Sequence, residues 1–240
     1  MRLGDTAAGG AAVRTPFSAV LFDCDGVLVD SETITQRLLA EMLRELGWEI
    51  SEAETIRTFI GRALRDEWEV ILTHTGIRIT EDWIDEFHAR RDDALRVSVT
   101  SIDGVPEMLA EITERFGDRI ALASGADRVK IDMQLEVTSL GRWFGDRVFS
   151  GMDQPRSKPA PDVYLAAAAA LGIDASTALV VEDTVAGVTA GIAAGATVFG
   201  FSPDSPVATA PDALRAAGAT LVFSSMSELA GLVDGWGAGE

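Results

Sequence analysis

Apolar positions follow two rhythms along the chain, short near-continuous runs and longer stretches at helical spacing, and the switches between them mark out its organisation. The first run, residues 17–22, is almost wholly apolar and rich in strand formers, as expected of a strand buried on both faces of a parallel sheet. After Asp30, Ile34, Leu38, Leu39, Met42, Leu43 and Leu46 recur at helical spacing, and Gly47 supplies a C-terminal stop. Ser51-Glu-Ala-Glu54 is a capping-box pattern that opens a second helix, closed at Gly61. Leu64, Trp68, Ile71 and Leu72 mark a third that ends near Gly76, and Thr80 with Glu81 and Asp82 starts a fourth through Trp83, Ile84 and Phe87. No strand pattern interrupts residues 31–97.

From Asp103 onward strands and helices alternate. Pro106 in a first helical turn introduces a helix over 105–116. A strand follows at 119–123, a helix at 127–140, a short strand at 147–150 and an Ala-rich helix at 161–171. Residues 178–182 read as a strand, 185–194 as a helix, and 196–201 and 219–223 as two last strands. The alternation predicts an α/β fold, a doubly wound, Rossmann-like parallel sheet with right-handed crossovers. Residues 17–30 and 98–240 form its core, 31–97 an inserted helical bundle, and 1–16 a flexible leader.

Composition narrows the function. At 240 residues the chain has room for one full domain and an insertion. Its apolar runs are too short to span a membrane, and residues 1–16 lack the apolar core of a secretory signal, so a cytoplasmic location is expected. One cysteine, Cys24, excludes an internal disulfide or a cysteine metal cluster; flanked by two acids, it reads as a small buried residue. A net charge of -18 argues against nucleic acid and anionic membranes as partners. Any phosphate site must then be built locally, from a metal, lysine and backbone N–H groups. His74 and His88, in the helical block, read as surface or packing residues.

Candidate chemistry gathers at strand ends. Asp23 and Asp25 follow the first strand at i and i+2, and Gly26 lets the chain turn so that the second acid takes a separate role. Such a pair suits covalent phosphoryl chemistry, one carboxylate attacking phosphorus while the other moves protons, with a divalent cation to offset the charge. Ser124 and Gly125 end the second core strand, Lys158 lies in a proline-containing loop, and Glu182 and Asp183 end another strand. Singly these read as caps, a solvated lysine and a charge pair at a helix start. In one parallel sheet they share one edge, where open α/β sheets bind ligands.

At these residues the chain resembles the haloacid dehalogenase-type phosphohydrolases, in the sugar-phosphate phosphatase and beta-phosphoglucomutase-like branch with 6-phosphogluconate phosphatase-like members. The matching pieces are Asp23-x-Asp25-Gly26-Val27, Ser124, Lys158 in Ser-Lys-Pro-Ala-Pro-Asp, and Glu182-Asp183 followed by Ala186-Gly187, over residues 17–225. The resemblance implies that Asp23 is the nucleophile, that Asp25 is the general acid/base and lends its backbone carbonyl to Mg2+, and that Glu182 and Asp183 complete the metal site. Ser124 and Lys158 would hold the phosphoryl group, and residues 31–97 would form a cap over the site. A phosphorylated small molecule is the expected partner and a monomer the expected state, with a dimer left open. A phosphosugar mutase is the alternative activity. In mutases of this branch a cap-linker histidine occupies the place of Thr35 and a cap arginine the place of Leu64, and both departures favour release of phosphate to water. Gly26, Gly61, Arg62, Arg65 and Gly125 are expected to meet the substrate beside Ser124 and Lys158. Arg90 and Arg91 are further candidates, and ion pairing to neighbours such as Asp66 and Asp92 is the competing role for these arginines.

Overall fold

A computed structural model of the protein describes residues 16–60 and 64–236. Six strands, β1 (Ala19–Phe22), β2 (Ile120–Ser124), β3 (Val148–Ser150), β4 (Ala178–Glu182), β5 (Thr197–Phe201) and β6 (Leu221–Phe223), form one parallel sheet in the order β3-β2-β1-β4-β5-β6. The order reverses beside β1, the switch point at which such sheets open a crevice.

Residue alternation along the strands sorts side chains onto two faces. Val20 and Phe22 of β1, Ile120 and Leu122 of β2, and Leu179 and Val181 of β4 point to one core. It is covered by α5 (Val105–Phe116), α6 (Arg128–Val137), α7 (Gly141–Phe144) and α11 (Leu229–Gly235), which contribute Leu109, Ile131, Phe144 and Leu229. Leu21, Ala121 and Val180 point to the other, under α8 (Asp162–Ala170), α9 (Val185–Ala193) and α10 (Pro211–Ala216) with Val163, Val188 and Leu214. Each fully buried Leu, Val or Phe contributes about 1.5–3 kcal/mol relative to exposure. The strands are therefore apolar along most of their length, because neither face meets water, with the polar Ser124, Ser150 and Glu182 confined to the carboxyl ends of β2, β3 and β4.

Between β1 and β2 lie α1 (Glu32–Glu45), α2 (Glu52–Phe59), α3 (Trp68–Thr75) and α4 (Glu81–Ser98). They enclose a third core of Leu39, Met42, Leu43, Phe59, Ile71, Ile84 and Phe87. The capping box at Ser51 and Glu54 is formed in both directions, and Thr80 caps α4 by accepting from the Trp83 N–H. Ile34 and Leu95 instead join the sheet core, so the two ends of the insertion are rooted beside β1.

The structure departs from the expected elements in particular places. The helix expected over 127–140 ends at Val137, because Ser139 takes a left-handed φ of 58° and the Ser139 and Leu140 N–H groups fold back on the carbonyls of Glu136 and Leu135. This is the double bond of a helix terminator in which serine stands where glycine is usual. Helices α10 and α11 have no counterpart in the sequence reading; they are short, and their Ala and Gly content leaves little apolar rhythm. The helix-closing role assigned to Gly61 lies outside the described residues. No helix among those described is long and apolar enough to cross a membrane.

Candidate active site

Strand register brings the chemistry together. Phe22 pairs with both Leu122 and Val181, so Asp23, one residue beyond β1, stands beside Glu182 at the end of β4, and its N–H donates to the Val181 carbonyl at 3.0 Å. Ser124 ends β2 on the other side. Asp23, Asp25, Ser124, Gly125, Lys158, Glu182 and Asp183 line one cleft of about 530 Å³, with His88 and Arg91 of α4 and Ile60 reaching it from the helical insertion. Gly26 adjoins it at a φ of 77°, and a Cβ there would strike the Asp183 carboxylate.

Lys158 sits at the centre. Its Nζ donates to Asp23 Oδ1 at 2.6 Å, Glu182 Oε1 at 2.7 Å and the Ala123 carbonyl at 2.9 Å, which uses all three protons. Burial opposes its charge, but Asp23 and Glu182 outweigh burial and push its pKa well up. Glu182 is fully buried and saturated. Oε1 accepts from Lys158 and Tyr164, Oε2 from the Asp183 and Thr184 N–H groups and the Thr184 hydroxyl. This carboxylate is a fixed strut. Burial raises its pKa, yet Lys158 and these hydrogen bonds bring it below the ordinary value.

Asp23 Oδ1 is committed to Lys158, whereas Oδ2 makes no hydrogen bond to a described residue. Burial, together with the charges of Glu182 and Asp25 and against Lys158, pushes the Asp23 pKa up to about 7. Asp183 is pushed well up by burial and by Glu182 and Asp23, and its buried Oδ1 has no partner among the described residues. An orphan carboxylate oxygen costs about 1–3 kcal/mol or more unless something binds it. Asp23, Glu182 and Asp183 each offer an oxygen within 4.8 Å of the others, a hard all-oxygen set that could hold a divalent cation.

Asp25 is held differently. Ser31 donates to it at 2.5 Å, the Gln134 amide at 2.8 Å, and Lys130 Nζ to both oxygens at 3.0 Å. Burial alone would raise its pKa; Lys130 and these hydrogen bonds overcome it and lower the pKa. Gln134 Oε1 in turn accepts the Cys24 thiol at 3.6 Å, which fixes the amide, and burial with the adjacent acids pushes the thiol pKa well up.

Sequence reasoning missed Ser31, Lys130, Gln134 and Tyr164. One signal was present. The chain has only two lysines against 18 arginines, and both lie in this cleft. A compact point charge can be buried between carboxylates where a guanidinium does not fit. Of the substrate-contact candidates, Arg65 lies outside the cleft, exposed and paired with Glu81 at 2.6 Å. Arg90 is paired with Glu45 and Glu86, and Arg91 alone of these described arginines faces the cleft. Gly61 and Arg62 lie outside the described residues. His74 stacks on Trp48 at 3.9 Å, while His88 borders the cleft.

The cleft also depends on close backbone approach. Gly187, in the first turn of α9, lies against Glu182, and a Cβ there would overlap the carboxylate. The strut has no room to retreat, so Gly187→Ala is expected to cost about 1–3 kcal/mol or more in a urea melt and to lower turnover. A melt within about 0.5 kcal/mol of wild type, on the order of the scatter for neutral surface changes, would show that Glu182 is free to move.

The family model for haloacid dehalogenase-like hydrolases matches residues 17–195. The chain is 31% identical over 189 residues to 6-phosphogluconate phosphatase of Escherichia coli strain K12, covering 78% of this chain and 83% of that one. It is 31% identical over 179 residues to hexitol phosphatase B of the same strain, covering 73% and 79%. Among solved structures, a haloacid dehalogenase-like protein from Agrobacterium tumefaciens superposes with a TM-score of 0.82 at 32% identity, covering 92% of this chain and 99% of that one. A hydrolase of the same family from Deinococcus radiodurans, with bound phosphate and sodium, gives 0.80 at 33% identity over 92% and 98%.

Proposed function

The chain belongs to the haloacid dehalogenase-like hydrolases, and from that membership we propose that it is a Mg2+-dependent cytoplasmic phosphatase of a small sugar-phosphate-type metabolite, working through a phosphoryl group carried on Asp23. The observation that carries this reading is the division of labour at Asp23: Oδ1 is fixed by Lys158 while Oδ2 is free in the cleft. Two relatives are named as phosphatases of phosphorylated sugar derivatives, which supports the substrate class.

In the reaction, Asp23 Oδ2 attacks phosphorus and the bond to the leaving oxygen breaks, that oxygen taking a proton through Asp25; because Asp25 is held as a carboxylate, the proton enters with the monoanionic phosphate ester and Asp25 relays it. Asp25, now a carboxylate, takes a proton from a water whose oxygen attacks the same phosphorus; the Asp23–phosphate bond breaks and inorganic phosphate leaves. The Ser31, Lys130 and Gln134 contacts favour the carboxylate form, the one this second half requires. The Ser124 hydroxyl accepts from the Ala126 N–H and gives its own proton to no described residue, so it is placed to donate to a phosphoryl oxygen. Asp23 and Asp183 would hold Mg2+, with Glu182 fixing the turn beneath them; when bound, the cation supplies positive charge against the phosphoryl oxygens. The helical insertion, residues 31–97, acts as the cap that limits water in the cleft. The Thr35 hydroxyl donates to the Ser31 carbonyl rather than to Asp25, so that position does not restrain the acid/base, which favours hydrolysis over mutase action.

Metal binding should be visible without turnover. The Asp23 and Asp183 pKa values are raised above their unfolded values, so their contribution to metal-free stability is full below about pH 4 and is lost as pH rises through about 7 for Asp23. A cation must displace those protons, so it stabilises more at pH 7.5 than at pH 5.5. Saturating Mg2+ at pH 7.5 should add about 3 kcal/mol, a Tm rise on the order of 5–10 °C. EDTA should reverse it, and an equal or larger rise at pH 5.5 would speak against this cluster as the site.

A further inference from the structure

Beside the catalytic cleft lies a second chamber of about 240 Å³ inside the helical insertion, and Glu32, His88 and Arg91 line both. Its floor is apolar, with Leu39 and Phe87, and into it faces Gln36 of α1. Gln36 is only 5% exposed, yet its Oε1 has no hydrogen-bond partner among the described residues. A buried amide oxygen left unpaired is unfavourable in the free protein and becomes an acceptor for any hydroxyl that enters. Arg91 is half committed: Nε and Nη2 both donate to Asp92 Oδ1, at 2.9 and 2.7 Å, and Nη1 makes no hydrogen bond to a described residue.

Charge decides what could enter. Among the described residues around the cleft, Lys158 is taken by Asp23 and Glu182, Lys130 by Asp25, and Arg91 by Asp92. Burial and Arg91 hold the His88 pKa below its ordinary value, so it adds no positive charge at neutral pH. Glu32 stands at the junction of the two spaces. A second anionic group on the substrate would meet Glu32, and among the described residues every cation at the cleft already has a carboxylate partner, so its burial would be costly. Hydroxyls would meet acceptors in Gln36 Oε1 and Glu32, a donor in Arg91 Nη1, and the neutral His88 ring, which offers one of each.

We propose that Gln36 and Arg91 are specificity-determining residues, and that this chamber selects an uncharged, polyhydroxylated leaving group over one carrying a carboxylate. The proposal rests on the phosphatase reading above and adds to it the class of alcohol released. A site built to hydrogen-bond hydroxyls discriminates against substrates that leave its groups unpaired.

The test compares kcat/KM of the full chain with Mg2+ for glucitol 6-phosphate, 6-phosphogluconate and p-nitrophenyl phosphate. Glucitol 6-phosphate should exceed 6-phosphogluconate by about tenfold or more, the worth of one unmade buried hydrogen bond. Gln36→Leu, which keeps the volume and removes the orphan oxygen, should lower the ratio of glucitol 6-phosphate to p-nitrophenyl phosphate about tenfold, and Arg91→Met should move it the same way. A ratio unmoved in both variants, or a preference for 6-phosphogluconate, overturns the proposal and leaves the phosphatase reading intact. Calorimetric titration of Asp23→Asn protein with glucitol 6-phosphate, with and without Gln36→Leu, reads the chamber independently of turnover. Binding to Asp23→Asn protein that Gln36→Leu weakens, when the wild-type chain turns over no ester, supports the chamber and overturns the phosphatase reading; no binding by Asp23→Asn protein together with no turnover by the wild-type chain overturns both.

Discussion

Replacing Asp23 by Asn is expected to abolish phosphate release, by about 10⁴-fold or more in kcat, while the metal-free protein becomes more stable at neutral pH. The amide is too weak a nucleophile to take the phosphoryl group, and loss of a nucleophile is among the largest single effects in an active site. The gain in stability follows from the site's electrostatics. Asp23 is buried beside Glu182 and Asp183, and its carboxyl is pushed up to about 7, so near neutrality its charge opposes the fold. The two effects separate chemistry from folding. Steady-state phosphate release and a thermal melt in EDTA check them together. Residual turnover above about 1% of wild type would remove Asp23 from the nucleophile's role.

The second large effect is expected at Lys158. Lys158→Met leaves Asp23 and Glu182 facing each other in a buried site without the ammonium that joins them. Removing one partner of a buried ionic network costs about 3–5 kcal/mol, and losing a group that orients the nucleophile should lower kcat about 10²–10³-fold. Lys158→Arg should restore little, because Nζ fits between two carboxylates and the Ala123 carbonyl, all within 2.9 Å, and a guanidinium fork does not. The stability loss should grow from pH 5 to pH 8 as Asp23 ionises, which a urea titration at the two pH values would check. A loss independent of pH would mean that the thioether side chain merely packs badly in place of the lysine.

Much of this architecture was legible because its signals are local. The strand from Ala178 to Glu182 and the helix from Val185 are delimited by apolar composition and by the Thr184 cap, and the capping box at Ser51 and Glu54 is spelled out within four residues. The placement of Asp23, Ser124, Lys158, Glu182 and Asp183 in one cleft follows from a parallel sheet, in which every strand ends at the same edge. What escaped depends on contacts distant in sequence. Lys130 and Gln134 reach Asp25 from more than 100 residues away, and nothing in their own neighbourhood says that α6 points them at that acid. Arginine pairing was legible in part: Arg91 pairs with its neighbour Asp92 as the sequence suggests, whereas Arg65 meets the distant Glu81 rather than Asp66. Ser139 at a left-handed φ, ending α6 early, has no marker in the sequence because the residue is not glycine or asparagine.

The most direct measurement is to mix the full chain with glucitol 6-phosphate and Mg2+, quench in acid within the first turnovers, digest, and search the peptides by mass spectrometry for an added phosphoryl group. The phosphoryl group should be found on Asp23, absent from Asp23→Asn protein and accumulating when Asp25→Asn blocks the water step. Phosphate release at the wild-type rate with no phosphoryl group on Asp23 in either background, or with the group on another side chain, would contradict the mechanism.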